Sequence, residues 1–235
     1  MTERIKDFKN KEKYTLGDIR ELVEILRSPD GCDWDREQTH ASVRNAFIEE
    51  TYEFVEGIDK NDTELMEEEL GDVIFQVFFH ARIAEENGNF NIDDVADGIC
   101  KKMVLRHPHV FGEIKVKNSD EVLKNWETIK KAEKSRDTLA KQLESVSNAL
   151  PSLIRAEKLL SRYKKEGGTV CTDTKELADN ICSLSADLSK DLSAQSIGKL
   201  LFAVANLSYA LKINSEQALY NENEKFIEDK TPARE

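Results

Sequence analysis

Proline and glycine are scarce in this chain of 235 residues, at 4 and 10 respectively. So few chain breakers leave little room for the turn-dense hairpins of an all-β fold and favour long helices. Cysteine is nearly absent as well. Cys32, Cys100, Cys171 and Cys182 stand far apart with no CxxC pair, so neither a disulfide framework nor a zinc site is expected. Inert thiols in a reducing compartment fit that pattern. Long hydrophobic runs are missing too: the most apolar stretch, Val73 to Phe79, is short and interrupted by Gln76. No membrane span and no signal peptide are expected, and the expected location is the cytoplasm. Basic charge is in deficit, with 34 Lys and Arg against 46 Asp and Glu, a net of −12. That balance argues against nucleic acid and anionic membranes as partners. No GxxxxGK[ST] loop is present, which speaks against an ordinary P-loop ATPase.

The acid that is there is unevenly placed. Residues 1–115 carry 15 basic and 27 acidic side chains, whereas residues 116–235 carry 19 of each. Two clusters hold much of that excess: Glu49, Glu50 and Glu53, then Glu68, Glu69 and Asp72. Residues three and four apart share a helix face, so each cluster aims its carboxylates in one direction. Lys60-Asn61-Asp62 between them reads as a turn that doubles the chain back and brings the faces together. At about 100° per residue, Val43, Phe47, Phe54 and Ile58 line one stripe, with Glu50 inside it and Glu53 on its shoulder. Leu65, Glu69, Asp72, Gln76 and Ile83 share a face of the second helix. A solvated acidic face is the ordinary explanation of a Glu-rich helix. Here the acids interrupt an apolar stripe, where a carboxylate is costly without compensation. Protons or a metal must settle such charge, and hard oxygen ligands in a row suit Mg²⁺ or Mn²⁺.

In chain order, residues 1–13 are charged and expected to fray. Thr15 caps a helix carrying Leu16, Ile19, Leu22, Val23 and Leu26, and Ser28-Pro29-Asp30-Gly31 ends it. Residues 32–40 read as a polar loop in which Trp34 either packs over helix ends or stacks a base. Glu37 and His40 form a single ExxH, one short of the pair that a di-iron bundle requires. The second acidic helix is apolar nearly all round, as befits the centre of a bundle or a subunit interface. Another helix covers Asp93 to Met103. At its end, Lys102 and Arg106 are either surface cations complementing the helix dipole or, at i and i+4, a polyphosphate clamp.

After a strongly charged helical segment, amphipathic helices resume from Leu150, and this half reads as a worn copy of the first. Residues 69–77 align with residues 196–204. The glycine and the apolar pattern survive, but Ser196 stands for Glu69 and Lys199 for Asp72. Lys225 takes the place of Lys102, and Asp229 that of Arg106. The expected organisation is an N-terminal catalytic domain over 1–115, a charged helical linker over 116–148, and a degenerate structural or regulatory repeat over 149–235.

Asp33-Trp34-Asp35-Arg36-Glu37-Gln38-Thr39, Glu49-Glu50-Thr51-Tyr52-Glu53, Glu68-Glu69-Leu70-Gly71-Asp72 and Arg106-His107-Pro108-His109-Val110-Phe111 together resemble the signatures of MazG nucleoside triphosphate pyrophosphohydrolases. Asp33 departs from the proline common there. The resemblance implies an all-α fold of tandem helical bundles, a homodimer, and Mg²⁺-dependent hydrolysis of NTPs and dNTPs to monophosphate and pyrophosphate. It implies metal ligands at Glu50, Glu53, Glu69 and Asp72, with Glu68 and Glu49 close by, and triphosphate contacts from Lys102 and Arg106. Attack at the α-phosphorus by a metal-activated water comes from the family alone; Glu49 or Glu53 would serve as general base. Trp34 and Trp126 are candidates for the nucleoside pocket. The competing reading is a nucleotide-binding or partner-binding helical scaffold without catalysis.

Overall fold

The computed structural model describes residues 3–133 and 138–231, and among these it contains thirteen helices and no strand. In chain order they are α1 (Glu3–Lys9), α2 (Leu16–Leu26), α3 (Asp33–Glu37), α4 (Arg44–Lys60), α5 (Thr63–Glu86), α6 (Ile92–Arg106), α7 (Pro108–Phe111), α8 (Ser119–Glu133), α9 (Leu139–Glu144), α10 (Ser152–Lys165), α11 (Thr174–Leu188), α12 (Ala194–Leu211) and α13 (Ser215–Lys230). The all-α expectation is met. The chain divides into two compact units, Met1–Ile129 and Lys130–Glu235, so the division falls inside α8.

The first unit is organised by the α4–α5 hairpin. Helix α4 stops where Asn61 turns left-handed at φ 52°, a conformation Asn tolerates better than most residues. Asp62 then caps α5, its side chain accepting from the amides of Glu64 and Leu65. The two helices close tightly at Gly57, where an added Cβ would lie 2.9 Å from Met66 Cγ and 3.1 Å from Met66 N. Val23 from α2, Val43 before α4, and Phe79 and Ile83 from α5 form the buried core, with Phe75 and Phe78 packed against it. The stripe expected on α4 is narrower than its pattern: Ile58, near the hairpin's closed end, is 47% exposed. Helix α5 holds the central place expected, packing on α2, α4 and α6.

Two sequence expectations are corrected. Residues 3–9 form α1 rather than a frayed end, because Arg4 bridges to Glu21 and Glu24 of α2 and the Tyr14 hydroxyl donates to the Phe8 carbonyl. The segment after Gly31 is not all loop but contains the short helix α3. Arg27 fastens it: the buried guanidinium pairs with Glu86 at 2.7 Å, donates to the carbonyls of Asp35 and Gln38, and lies over the Phe79 ring. A fork of five donors can serve all of these partners at once.

In the second unit, α11 packs along α12, and α10 contacts α9, α12 and α13. Ala156, Leu160, Leu177, Ala203 and Ala205 are buried there. Glu157 ties α10 to α13 by accepting from the amide and hydroxyl of Ser215. Gly71 and Gly198, the glycines shared by the two halves, both face open space. Their common position reflects no close helix approach in either unit. No single helix among the described residues is long and apolar enough to cross a membrane; α12 and α13 reach that length only jointly, across a 109° bend.

Candidate metal centre

The hairpin carries the first acidic cluster on α4 and the second on α5, and its register decides which acids meet. Glu50, Glu69 and Asp72 come together, with one carboxylate oxygen of each within 4.8 Å of the others. Two oxygens across one Mg²⁺ lie about 4.2 Å apart. The trio therefore lies on the scale of one ion's ligand shell. Glu69 is 7% exposed, and its Oε2 has no hydrogen-bond partner. A buried carboxylate oxygen without a donor is costly unless a proton or a cation compensates it.

Electrostatics point the same way. Burial pushes the Glu50 carboxyl above the usual carboxylate range, and the negative charges of Asp72, Glu53 and Glu69 add to it. Burial likewise raises Glu69, helped by Glu53, Asp72 and Glu68, while a hydrogen bond with Glu50 opposes the shift. Proton sharing is the expected response of acids that face one another without a compensating charge. The donor set is all oxygen, with no imidazole or thiolate in the cluster, which suits a hard divalent ion.

The remaining sequence-derived residues take varied places. Glu53 is exposed and acts on Glu50 through its charge. Glu68 acts on Glu69 through its charge, and Glu49 is exposed. Lys102 is exposed on α6, whereas Arg106, four residues on, is buried and lays its guanidinium 5.2 Å over the Trp126 ring. Trp126 is thus the platform of that arginine. Trp34, on α3, is 64% exposed.

Two features went unread in the sequence: a histidine pair and the burial of Gln76, whose place on the acid-bearing face was read. His80 meets His40, Nδ1 to Nδ1, at 2.8 Å, so the ExxH histidine has an imidazole partner. Gln76 is 8% exposed, and its Oε1 has no partner. The available signal was the spacing Asp72, Gln76, His80, which continues the ligand face at i+4 and i+8.

The MazG nucleotide pyrophosphohydrolase domain family matches residues 38–111, the span that contains the hairpin and α6. The nucleoside triphosphate pyrophosphohydrolase of Escherichia coli K12 is 37% identical over 214 residues, covering 87% of this chain and 81% of that protein. The nucleoside triphosphate pyrophosphohydrolase/pyrophosphatase MazG of Thermotoga maritima is also 37% identical over 214 residues, covering 88% of this chain and 80% of that protein. An uncharacterized Bacillus subtilis protein is 44% identical over 221 residues, 91% of this chain. The chain spans less than half of that relative's length, 45%.

Proposed function

Because the chain belongs to the MazG family of nucleotide pyrophosphohydrolases, we propose that its first unit hydrolyses NTPs and dNTPs to the monophosphate and pyrophosphate. The observation that carries the proposal is the convergence of Glu50, Glu69 and Asp72, with a buried oxygen left unpaired. These three would hold Mg²⁺, or Mn²⁺ in its place, with Glu53 and Glu68 at the margin. A cation bound there supplies charge neutralisation to the phosphates and acidifies water.

The protein's own groups do the rest. Glu53, exposed and one turn from Glu50, takes a proton from the attacking water, with Glu49 as the alternative base. The water oxygen bonds to the α-phosphorus, the bond from that phosphorus to the bridging oxygen breaks, and pyrophosphate leaves. Lys102 and Arg106 offset the charge gathering on that leaving group. Arg106 is suited to this because stacking on Trp126 orients its planar guanidinium beforehand. Trp34 and Trp126 border the nucleoside.

The second unit lacks the acids: Ser196 and Lys199 stand where Glu69 and Asp72 do. Its role is structural or regulatory. Exposed Tyr52, Val55, Leu70, Val95 and Ile99 support a homodimer, and the cytoplasm is the proposed location.

The test is product analysis with a mixed pool of (d)NTPs, with and without Mg²⁺, beside an Asp72→Ala control. Metal-dependent monophosphate and pyrophosphate, absent in the control, is the expected result. Diphosphate and phosphate would overturn α-phosphorus attack. No turnover with either metal would favour the nucleotide-binding scaffold.

A further inference from the structure

Gln76 is an anomaly in the first unit. Its side chain is almost wholly removed from solvent at 8% exposure, yet its carbonyl oxygen accepts no hydrogen bond. A leucine or methionine would fill the same space without that penalty, since a buried carbonyl oxygen left unpaired costs more than an apolar group of its shape. Packing gives no reason for the amide.

Its position gives one. Gln76 follows Asp72 by four residues and Glu69 by seven, so all three lie on one face of α5. The hairpin sets Gly57 against Met66, Glu50 against Glu69 and Asp72, and Phe47 against His80. In that antiparallel register Gln76 falls between the acid trio and the level of Phe47 and the His40–His80 pair. The rise along the helix from Asp72 is about 6 Å, the span of a ribose. A triphosphate clamped at the acids would present its nucleoside at this level, with the Phe47 ring beside it as an apolar wall.

We propose that Gln76 reads the nucleoside: its unpaired Oε1 accepts a hydrogen bond from an N–H or O–H of the substrate's base or sugar, and so contributes to nucleotide selection. The inference rests on the reading of the acid trio as the phosphate end of the site. A polar group kept unpaired until substrate arrives discriminates strongly, because a substrate lacking the matching donor leaves it unpaired again.

The experiment compares wild type with Gln76→Met, which keeps the volume and the helix propensity, and with Gln76→Asn, which keeps the amide but shortens it. Steady-state kcat and KM are measured for ATP, dATP, GTP, CTP and UTP. The inhibition constant of inorganic tripolyphosphate, which has no nucleoside, is measured in parallel, together with the melting temperature of the metal-free protein. The expected result has three parts. KM rises about five- to tenfold for the preferred nucleotide, the worth of one hydrogen bond. Tripolyphosphate inhibition stays within twofold, and the metal-free Gln76→Met protein melts no lower than wild type. If ATP is affected and dATP is not, the donor is the 2′-hydroxyl; if the ranking of bases changes, it is the base.

Unchanged KM values and base ranking in both variants would overturn the proposal. So would equal weakening of nucleotides and tripolyphosphate, which would place Gln76 in the phosphate site. A drop in metal-free melting temperature in both variants with unaltered kinetics would make it structural. Wild-type protein that turns over no nucleotide would overturn the underlying reading as well, a failure visible before any variant is made.

Discussion

His40 and His80 meet head-on. Their Nδ1 atoms are 2.8 Å apart, their ring planes differ by 4°, and their centroids are 5.1 Å apart. The centroid distance is the nitrogen distance plus two ring radii, so the imidazoles lie edge to edge in one plane. One Nδ1 donates and the other accepts, an arrangement that requires a neutral partner and is lost when both rings are charged. The bond joins the segment after α3 to the middle of α5, near the site where Arg27 fastens the same segment.

That pair makes stability depend on pH. Burial, with His40 beside it, holds His80 below its ordinary value of 6.5. The unfolded chain therefore binds the proton first, so the contribution is complete above 6.5 and is lost as pH falls towards the folded value. We expect the urea midpoint to drop between pH 7 and pH 5.5 and amide exchange across residues 38–43 to rise. His80→Phe should show a flatter profile, and an identical slope in that variant would assign the dependence elsewhere.

The acid trio behaves in the opposite sense. Glu50 and Glu69 are raised, so the folded metal-free protein holds protons that the unfolded chain releases, and stability falls as pH rises above the usual carboxylate range. Glu50→Gln should raise the metal-free melting temperature by relieving repulsion. It should also abolish the stabilisation by Mg²⁺ and cut turnover by roughly 100-fold or more, beyond the loss expected for an outer-shell partner. Thermal melts with and without Mg²⁺ decide the matter.

Gly57 sets the separation of α4 and α5 and, through it, the spacing of the trio. Ala is the better helix former, but its Cβ would press on the Met66 backbone amide as well as its side chain. Gly57→Ala is expected to destabilise the protein by about 1–2 kcal/mol, in the range of core overpacking, and to weaken Mg²⁺ binding in a calorimetric titration. A stabilised variant with unaltered metal affinity would show that the helices part without cost.

Arg27→Met removes one of the two guanidinium partners of Glu86, which keeps Arg82, and the donors to Asp35 and Gln38. Glu86 keeps some water, so the loss is smaller than for a fully buried pair, about 2 kcal/mol. Chemical denaturation measures it, and proteolysis between residues 31 and 43 should quicken.

The amino-acid order by itself determined the helical class, the α4 and α5 hairpin and the two acid clusters, because helix periodicity, capping and turn chemistry act over a few residues. Thr15, Asn61 and Asp62 were all legible for that reason. It also carried the family signatures. Which acids converge was not legible. Spacing left Glu50 and Glu53 nearly equivalent, and only the packing of Gly57 on Met66 set the register that draws Glu50 to Glu69 and Asp72. Arg106 read as a phosphate cation; the structure shows it on Trp126, a partner 20 residues away that no local pattern connects. His40 with His80 and the unpaired Gln76 belong to the same class. Burial and partnership across helices are properties of the assembled fold, and no short stretch of sequence contains them.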